Sequence, residues 1–284
     1  MSAPVLAQRG VALIAVLWLV AAMTLIITGI VAVVRNEAQT AGQQRQAVIA
    51  STQADAAILL ALQTLNARQN DAATVLEVIA VEFQGQRREV LVTPLNGLID
   101  LNRATVALFA AMYQHAGGLD SAQALTFAQA TVELRQSTSA KGMTQGFEAT
   151  EDLMRLPAMT FALYAKIVGL VTADLEGGSG RVNPLVAPVG VLQILTRGDA
   201  ARARVLAAGR GSDPKLMDTS FFSPELIEMA SSRSLQLEVQ VKPPDGSGYR
   251  KAWRVHLSTD PRSGLPWRVL ATQQSFEHLT AGNR

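Results

Sequence analysis

Three histidines, His115, His256 and His278, are the side chains of this sequence best suited to moving protons near neutral pH. None has an acidic partner at a spacing associated with catalysis. The expected position of His256 is the wet face of a strand between Val255 and Leu257, which reads as a surface histidine. Other chemistry is missing by composition. The chain has no cysteine, so thiolate nucleophiles, cysteine-bound zinc and disulfides are excluded, while either redox compartment stays open. There is no Gly-Xaa-Ser-Xaa-Gly elbow, and Gly177-Gly178-Ser179-Gly180 lacks the Lys-Ser/Thr that completes a phosphate loop. Glu148, Glu151 and Asp152 lie close together, but acidic residues at a helix start are explained by the helix dipole. The net charge of +2 is spread without a basic block, so no electrostatic footprint for nucleic acid stands out. The expectation is a protein that is not an enzyme and carries no cofactor.

The elements that must position any function begin with an apolar N-terminus. Residues 11–34 carry no charge and, as a helix rising about 1.5 Å per residue, span about 36 Å, enough to cross a hydrocarbon core of about 30 Å. Arg9 and Arg35 bracket the run. It is longer than the apolar region of a cleaved secretory signal. Helical pattern continues over residues 36–66, where Ala47, Ala50, Ala54, Ile58, Ala61 and Leu65 form a small-residue stripe. Two β-like runs, 78–83 and 89–93, predict a hairpin around residues 84–88.

The middle of the chain is expected to be helical, over 104–115, 121–134, 151–156 and 160–171, with a short helix opened by Pro188 and ending near Leu195. Gly117-Gly118 breaks the first two, Asp120 or Ser121 caps the second, and Thr160 caps the fourth. Residues 175–180 read as a flexible glycine-rich connection. Strict alternation then takes over: Leu235, Leu237, Val239 and Val241 share one face of a strand over 234–242, followed by strands over 249–257 and 267–271. With turns at 243–248 and 260–264, this is an antiparallel meander with one wet face. The fold class is α+β.

Gln8-Arg9-Gly10 followed by the apolar run resembles the class III signal of type IV pilins and pseudopilins, which prepilin peptidase cuts after the glycine, here between Gly10 and Val11. Taken alone, the apolar run equally fits an uncleaved signal anchor. The fifth residue after the cut would be Ala15, where most pilins carry a Glu that pairs with a neighbour's free amine, a favourable pairing in lipid. The turn Gly97-Leu98-Ile99-Asp100-Leu101-Asn102, the stretch Glu151-Asp152-Leu153-Met154-Arg155-Leu156-Pro157-Ala158-Met159-Thr160, and Val182-Asn183-Pro184 with Ala187-Pro188 resemble, in their order, the K-type minor pseudopilins of type II secretion.

That resemblance implies a long N-terminal helix, transmembrane half plus stalk, and a pilin-like antiparallel sheet with an inserted all-α domain. Its divisions are a leader over 1–10, a transmembrane helix over 11–34, a stalk over 35–70, scaffold over 71–103 and 201–284, and the helical insertion over 104–200. It implies a single pass through the inner membrane with the head in the periplasm, at the tip of a pseudopilus. The partners it implies are the I-type and J-type minor pseudopilins, the major pseudopilin, prepilin peptidase and the inner-membrane platform. The family motif residues are Asn102, Pro157, Asn183 and Pro188. Many members carry an acidic calcium loop, but the corresponding residues 136–142 hold no carboxylate here, so the expectation is no cofactor, with calcium kept as the alternative. Leu156-Pro157-Ala158-Met159-Thr160 also resembles a helix-hairpin-helix turn of DNA-uptake proteins. That alternative lacks the surrounding cations that phosphate binding needs. A minor pilin of a type IV pilus is the other alternative.

Overall fold

The computed structural model describes residues 7–68, 76–137, 146–174, 176–210, 217–242 and 248–277. They divide into two compact units, one up to Thr52 and one from Gln53 onward. The first unit is helix alone. Helix α1 runs from Ala7 to Ala67, crossing the division without a proline or a break. Val16, Trp18 and Met23 are exposed on it, and Thr24 and Thr28 return their hydroxyls to the carbonyls one turn back, at 2.8 and 2.7 Å. Those bonds satisfy each hydroxyl within the helix.

The second unit is the α+β head. Strands β1 (Glu77–Phe83) and β2 (Gln86–Pro94) form a hairpin whose turn is Gln84-Gly85 alone, with φ of 53° and 72°. Two successive positive φ values match the twist of paired strands, so the loop is tighter than the five residues expected. Strands β5 (Ser234–Val241), β6 (Gly248–His256) and β7 (Arg268–Glu277) form the expected meander, with β7 extending well past residue 271. β2 pairs antiparallel with β5, Val92 opposite Leu237, which joins hairpin and meander into one sheet of order β1-β2-β5-β6-β7. The turn residues 243–247 lie outside the described residues.

One face of that sheet is apolar. Ile79, Val90, Val92, Leu237, Val239, Val241 and Tyr249 are all at most 4% exposed, as are Ala54, Ala57, Ile58, Ala61 and Leu62 of the head half of α1. Asp55 and Lys251 meet at 2.6 Å, which fixes the helix over this face. The small-residue stripe is therefore a core stripe, since alanines let a helix approach a sheet closely.

Between β2 and β5 the chain builds a second core from helices α2 (Val106–His115), α3 (Ser121–Gln136), α4 (Phe161–Ile167), α5 (Val189–Leu195) and α6 (Ala200–Gly209) around Leu108, Phe109, Met112, Tyr113 and Leu192. Side-chain caps explain their starts: Thr105, Asp120, Thr160 and Asp199 each accept from the backbone N–H three residues on. Four expectations change here. The segment expected to be a helix over 151–156 is a 3-10 turn over Thr150–Arg155, and α4 stops at Ile167. Val171-Thr172 is instead a short strand, β4, parallel to β3 (Ile99-Asp100). Helix α6 was not expected.

Candidate functional site

The turn after β2 and the Asn183 stretch meet at the junction between sheet and helices. Asn96 lies in the 3-10 turn after β2, and Asn183 lies in the turn before α5. Both side-chain amides donate to the Ala230 carbonyl, at 2.8 and 3.1 Å, while the Asn183 N–H donates to the Asn96 carbonyl at 2.8 Å. Asn183 is fully buried, and its Oδ1 accepts from the Leu185 N–H at 3.0 Å. Three chain segments far apart in sequence are tied by one cluster of amides. Gly97 is required beside it, because a Cβ there would stand 2.6 Å from the Val186 carbonyl group.

Asn102 clamps a second junction. Its amide donates to the Phe147 carbonyl at 2.9 Å and accepts from the Phe147 N–H at 2.7 Å, copying a strand pairing with one side chain. Next to it Asp100 is 2% exposed; burial raises its pKa, against the Asn102 N–H bond at 2.8 Å and Arg103 at 3.3 Å. Pro188 precedes α5 with φ near −60°, and its carbonyl accepts from Val191 and Leu192. Pro157 is exposed in the turn before α4. Asn102, Asn183 and Pro188 thus act on backbone rather than on a ligand.

Beside Pro157, Ala158 holds φ of 63°, a conformation glycine adopts freely. The hairpin turn between helices therefore has the left-handed geometry without the glycine. Lys166, its nearby cation, donates to the Gly117 carbonyl at 3.1 Å. Asp152 is equally occupied: its carboxylate accepts from the N–H groups of Glu148 and Ala149 at 2.9 and 3.2 Å. This is a cap. Among the described residues no group of three His, Cys, Asp or Glu could hold a metal. Most of the 136–142 stretch weighed for calcium lies outside the described residues, as does His278.

His256 departs from the surface reading. Its side chain is only 13% exposed, with Nδ1 2.9 Å from Ser234 Oγ and Nε2 3.8 Å from Glu176. Sequence spacing could not reveal this, because Glu176 arrives from a loop eighty residues upstream. The trio has the membership of a hydrolytic triad but not its working geometry. Ser234 is fully buried, and its Oγ already accepts from the Glu176 N–H at 3.1 Å. A serine with no path to substrate cannot attack one. Burial lowers the His256 pKa first, partly offset by Glu176. Glu176 also pairs with Arg268, and Arg254 with Asp174 at 2.7 Å, so these groups bind the loop to β6 and β7. His115 packs beside Gly198, and burial lowers its pKa. The end of the glycine-rich connection is packed: a Cβ on Gly180 would clash with the Arg103 carbonyl, and Ser179 bonds Glu228. Those contacts hold Ser179 and Gly180, whereas a Cβ on Gly177 would meet nothing within 4 Å.

The remaining site is the N-terminal helix. The described residues of α1 include one 28-residue stretch, Thr40–Ala67, with the length and mean hydropathy, 1.4, of a membrane span. An 18-residue window of it is 39% buried, and the buried positions include Ala54, Ile58 and Leu62, so the part from Gln53 onward packs as a core helix of the head. The charge-free run over 11–34 lies upstream of it. Gly10 and Val11 are in helical backbone, and the side chain of Ala15 is exposed.

A helix whose C-terminal half packs on one face of an antiparallel sheet, with a helical insertion between the strands, defines a pilin-like α+β fold. No family model matches the chain, and no curated protein matches its sequence. A solved structure does: one chain of the GspK–GspI–GspJ complex of the type 2 secretion system of enterotoxigenic Escherichia coli. The alignment covers 84% of this chain and 99% of that one, with a TM-score of 0.51 and 14% identity. The fold is GspK-like.

Proposed function

We propose that this chain is a K-type minor pseudopilin of a type II secretion system, a structural assembly component and not an enzyme. One observation carries the reading: the fold of this chain aligns over 84% of its length with 99% of one chain from the GspK–GspI–GspJ complex. Residues 11–34 anchor it in the inner membrane, residues 35–70 form the stalk, and the head stands in the periplasm. The scaffold is made by 71–103 and the strands after α6, and the helical domain runs from 104 through α6, whose Ala203 is buried in the helical core. Prepilin peptidase removes residues 1–10, cutting between Gly10 and Val11. The head caps the pseudopilus and starts its assembly with I-type and J-type subunits, beneath which the major pseudopilin is added by the inner-membrane platform.

Ala15 supports the terminal position. A carboxylate there would serve to neutralise the amine of a subunit ahead, and in lipid an unpaired carboxylate costs about 2.5–3.5 kcal/mol. A tip subunit has none ahead and loses nothing by carrying alanine. Mass spectrometry of the protein from its native membrane tests the processing: the expected N-terminus is Val11, and an intact Met1 refutes it. Ala15→Glu is expected to draw the subunit into mid-filament positions or to lower secretion; unchanged assembly counts against the tip role. Co-purification of I-type and J-type subunits is the expected partner result, and neither calcium nor DNA is part of the reading.

A further inference from the structure

Within the head, an open cleft of about 670 Å³ lies between the sheet face opposite α1 and the helical insertion. Its floor is polar, made by Thr93, Gln236, Arg254 and Gln273 from four neighbouring strands. Its walls are apolar, among them Leu95, Leu98, Val186 and Val189. The size falls within the roughly 300–1,000 Å³ of ligand clefts. Two arginines line it and no carboxylate does.

The two arginines differ. Arg254 is neutralised by Asp174 at 2.7 Å and also donates to Gln236 Oε1 at 3.3 Å. Arg210 has no acidic partner among the described residues: Nη1 donates to the Leu185 carbonyl at 3.1 Å, and Nε is buried with no acceptor. Burial lowers its pKa, with no carboxylate offsetting it. A half-buried guanidinium with no counter-charge among the described residues is open to a ligand carboxylate, which would form a charge-assisted pair with it.

We propose that this cleft docks an extended peptide segment of a partner protein in which apolar side chains flank an acidic residue, the carboxylate pairing with Arg210. The floor selects a peptide over a fatty carboxylate. The Thr93 hydroxyl, the Gln236 amide nitrogen and the Gln273 amide have no hydrogen-bond partner among the described residues, and a peptide backbone offers repeated donors and acceptors to match them. An alkyl chain would leave all three unmatched. This chemistry belongs to the head itself and stands whether or not the secretion reading does.

The test uses the full chain in lipid nanodiscs, washed over an array of acetylated pentapeptide amides in which one Glu, Gln or Lys is flanked by Leu, Val and Ala. Glu peptides are expected to be retained about tenfold better than their Gln isosteres, a difference of about 1.4 kcal/mol, with Lys peptides excluded. Arg210→Gln should shrink the Glu preference below about threefold while leaving the thermal midpoint within a few degrees. Val189→Glu, at a position 42% exposed, places a carboxylate in the cleft and should abolish the preference without touching Arg210. Equal retention of Glu and Gln peptides overturns the proposal. So does a preference that survives both variants, or retention of decanoate with no peptide retained.

Discussion

Gly97→Ala tests how the sheet and helices are held together. The added Cβ would lie 2.6 Å from both the carbon and the oxygen of the Val186 carbonyl and 2.8 Å from the Ala187 nitrogen. Relaxing these to ordinary contact near 3.4 Å requires a backbone shift of about 0.8 Å, because no obstructing atom belongs to a side chain that can rotate away. The adjacent bond from the Asn183 N–H to the Asn96 carbonyl, now 2.8 Å, would stretch to about 3.6 Å and cease to count. Overpacking costs about 1–3 kcal/mol and the lost bond about 1 kcal/mol, so a loss near 3 kcal/mol is expected. For a domain of this size that is a fall of about 6–12 °C in Tm. Gly85→Ala is the control. It has nothing within 4 Å of a new Cβ, only a φ of 72°, and should cost about 1 kcal/mol. Circular dichroism melts of the full chain in detergent compare the two. Gly97→Ala melting no lower than Gly85→Ala would refute the claim that backbone contact closes this junction.

Other parts of the head make equally definite predictions. Ala158→Gly relieves a φ of 63° worth about 1–2 kcal/mol but adds unfolded-state entropy, so a net gain of about 0.5–1 kcal/mol is expected in urea titration. Thr131 spends its hydroxyl proton on the Phe127 carbonyl at 2.7 Å, so Tyr113 must be the donor in their 2.9 Å bond. Burial pushes the Tyr113 phenol up to about 12, above its unfolded value near 10. A raised acid stays protonated longest in the folded state, so its contribution is intact below pH 10 and is lost between about pH 10 and 12. Tyr113→Phe should cost about 1 kcal/mol at pH 7 yet lose less stability than the parent on raising the pH from 10 to 11.5, read from urea midpoints. Asp55→Asn and Lys251→Met should each destabilise the head, and a double-mutant cycle should show a coupling of about 1–2 kcal/mol for this partly buried pair.

What the sequence disclosed follows from whether neighbours along the chain determine the result. The alternation of Leu235, Leu237, Val239 and Val241 specifies a strand and its buried face, and 0–1% exposure agrees with it. The caps at Asp120 and Thr160 are equally local, since each side chain meets an N–H three residues away. β3 and β4 were illegible because they consist of two residues each, paired across seventy residues. Residues 168–170 tighten into a 3-10 turn that takes Val171-Thr172 out of helix, a change that Val-rich periodicity does not announce. Helix α6 was hidden because Arg202, Arg204, Val205 and Ala207 mark no clear apolar face; only Ala203 is fully buried.

The same distinction separates the residues that shape this protein from those that could let it act. Asn96, Asn102 and Asn183 are recognisable because each makes a bond to backbone that no other side chain of that size reproduces. Each of these bonds holds two distant chain segments together, while Asn96 Oδ1 is buried without a donor among the described residues. Arg210 carries no motif, sits one residue beyond the end of α6, and was invisible to spacing arguments because its neighbours in the cleft come from the strands, the loop before α5 and α6. Yet it is Arg210 that lines the cleft without an acidic partner among the described residues. A charge that lines an open cleft without a counter-charge among the described residues is the stronger pointer to an external partner, because a ligand carboxylate can reach it there.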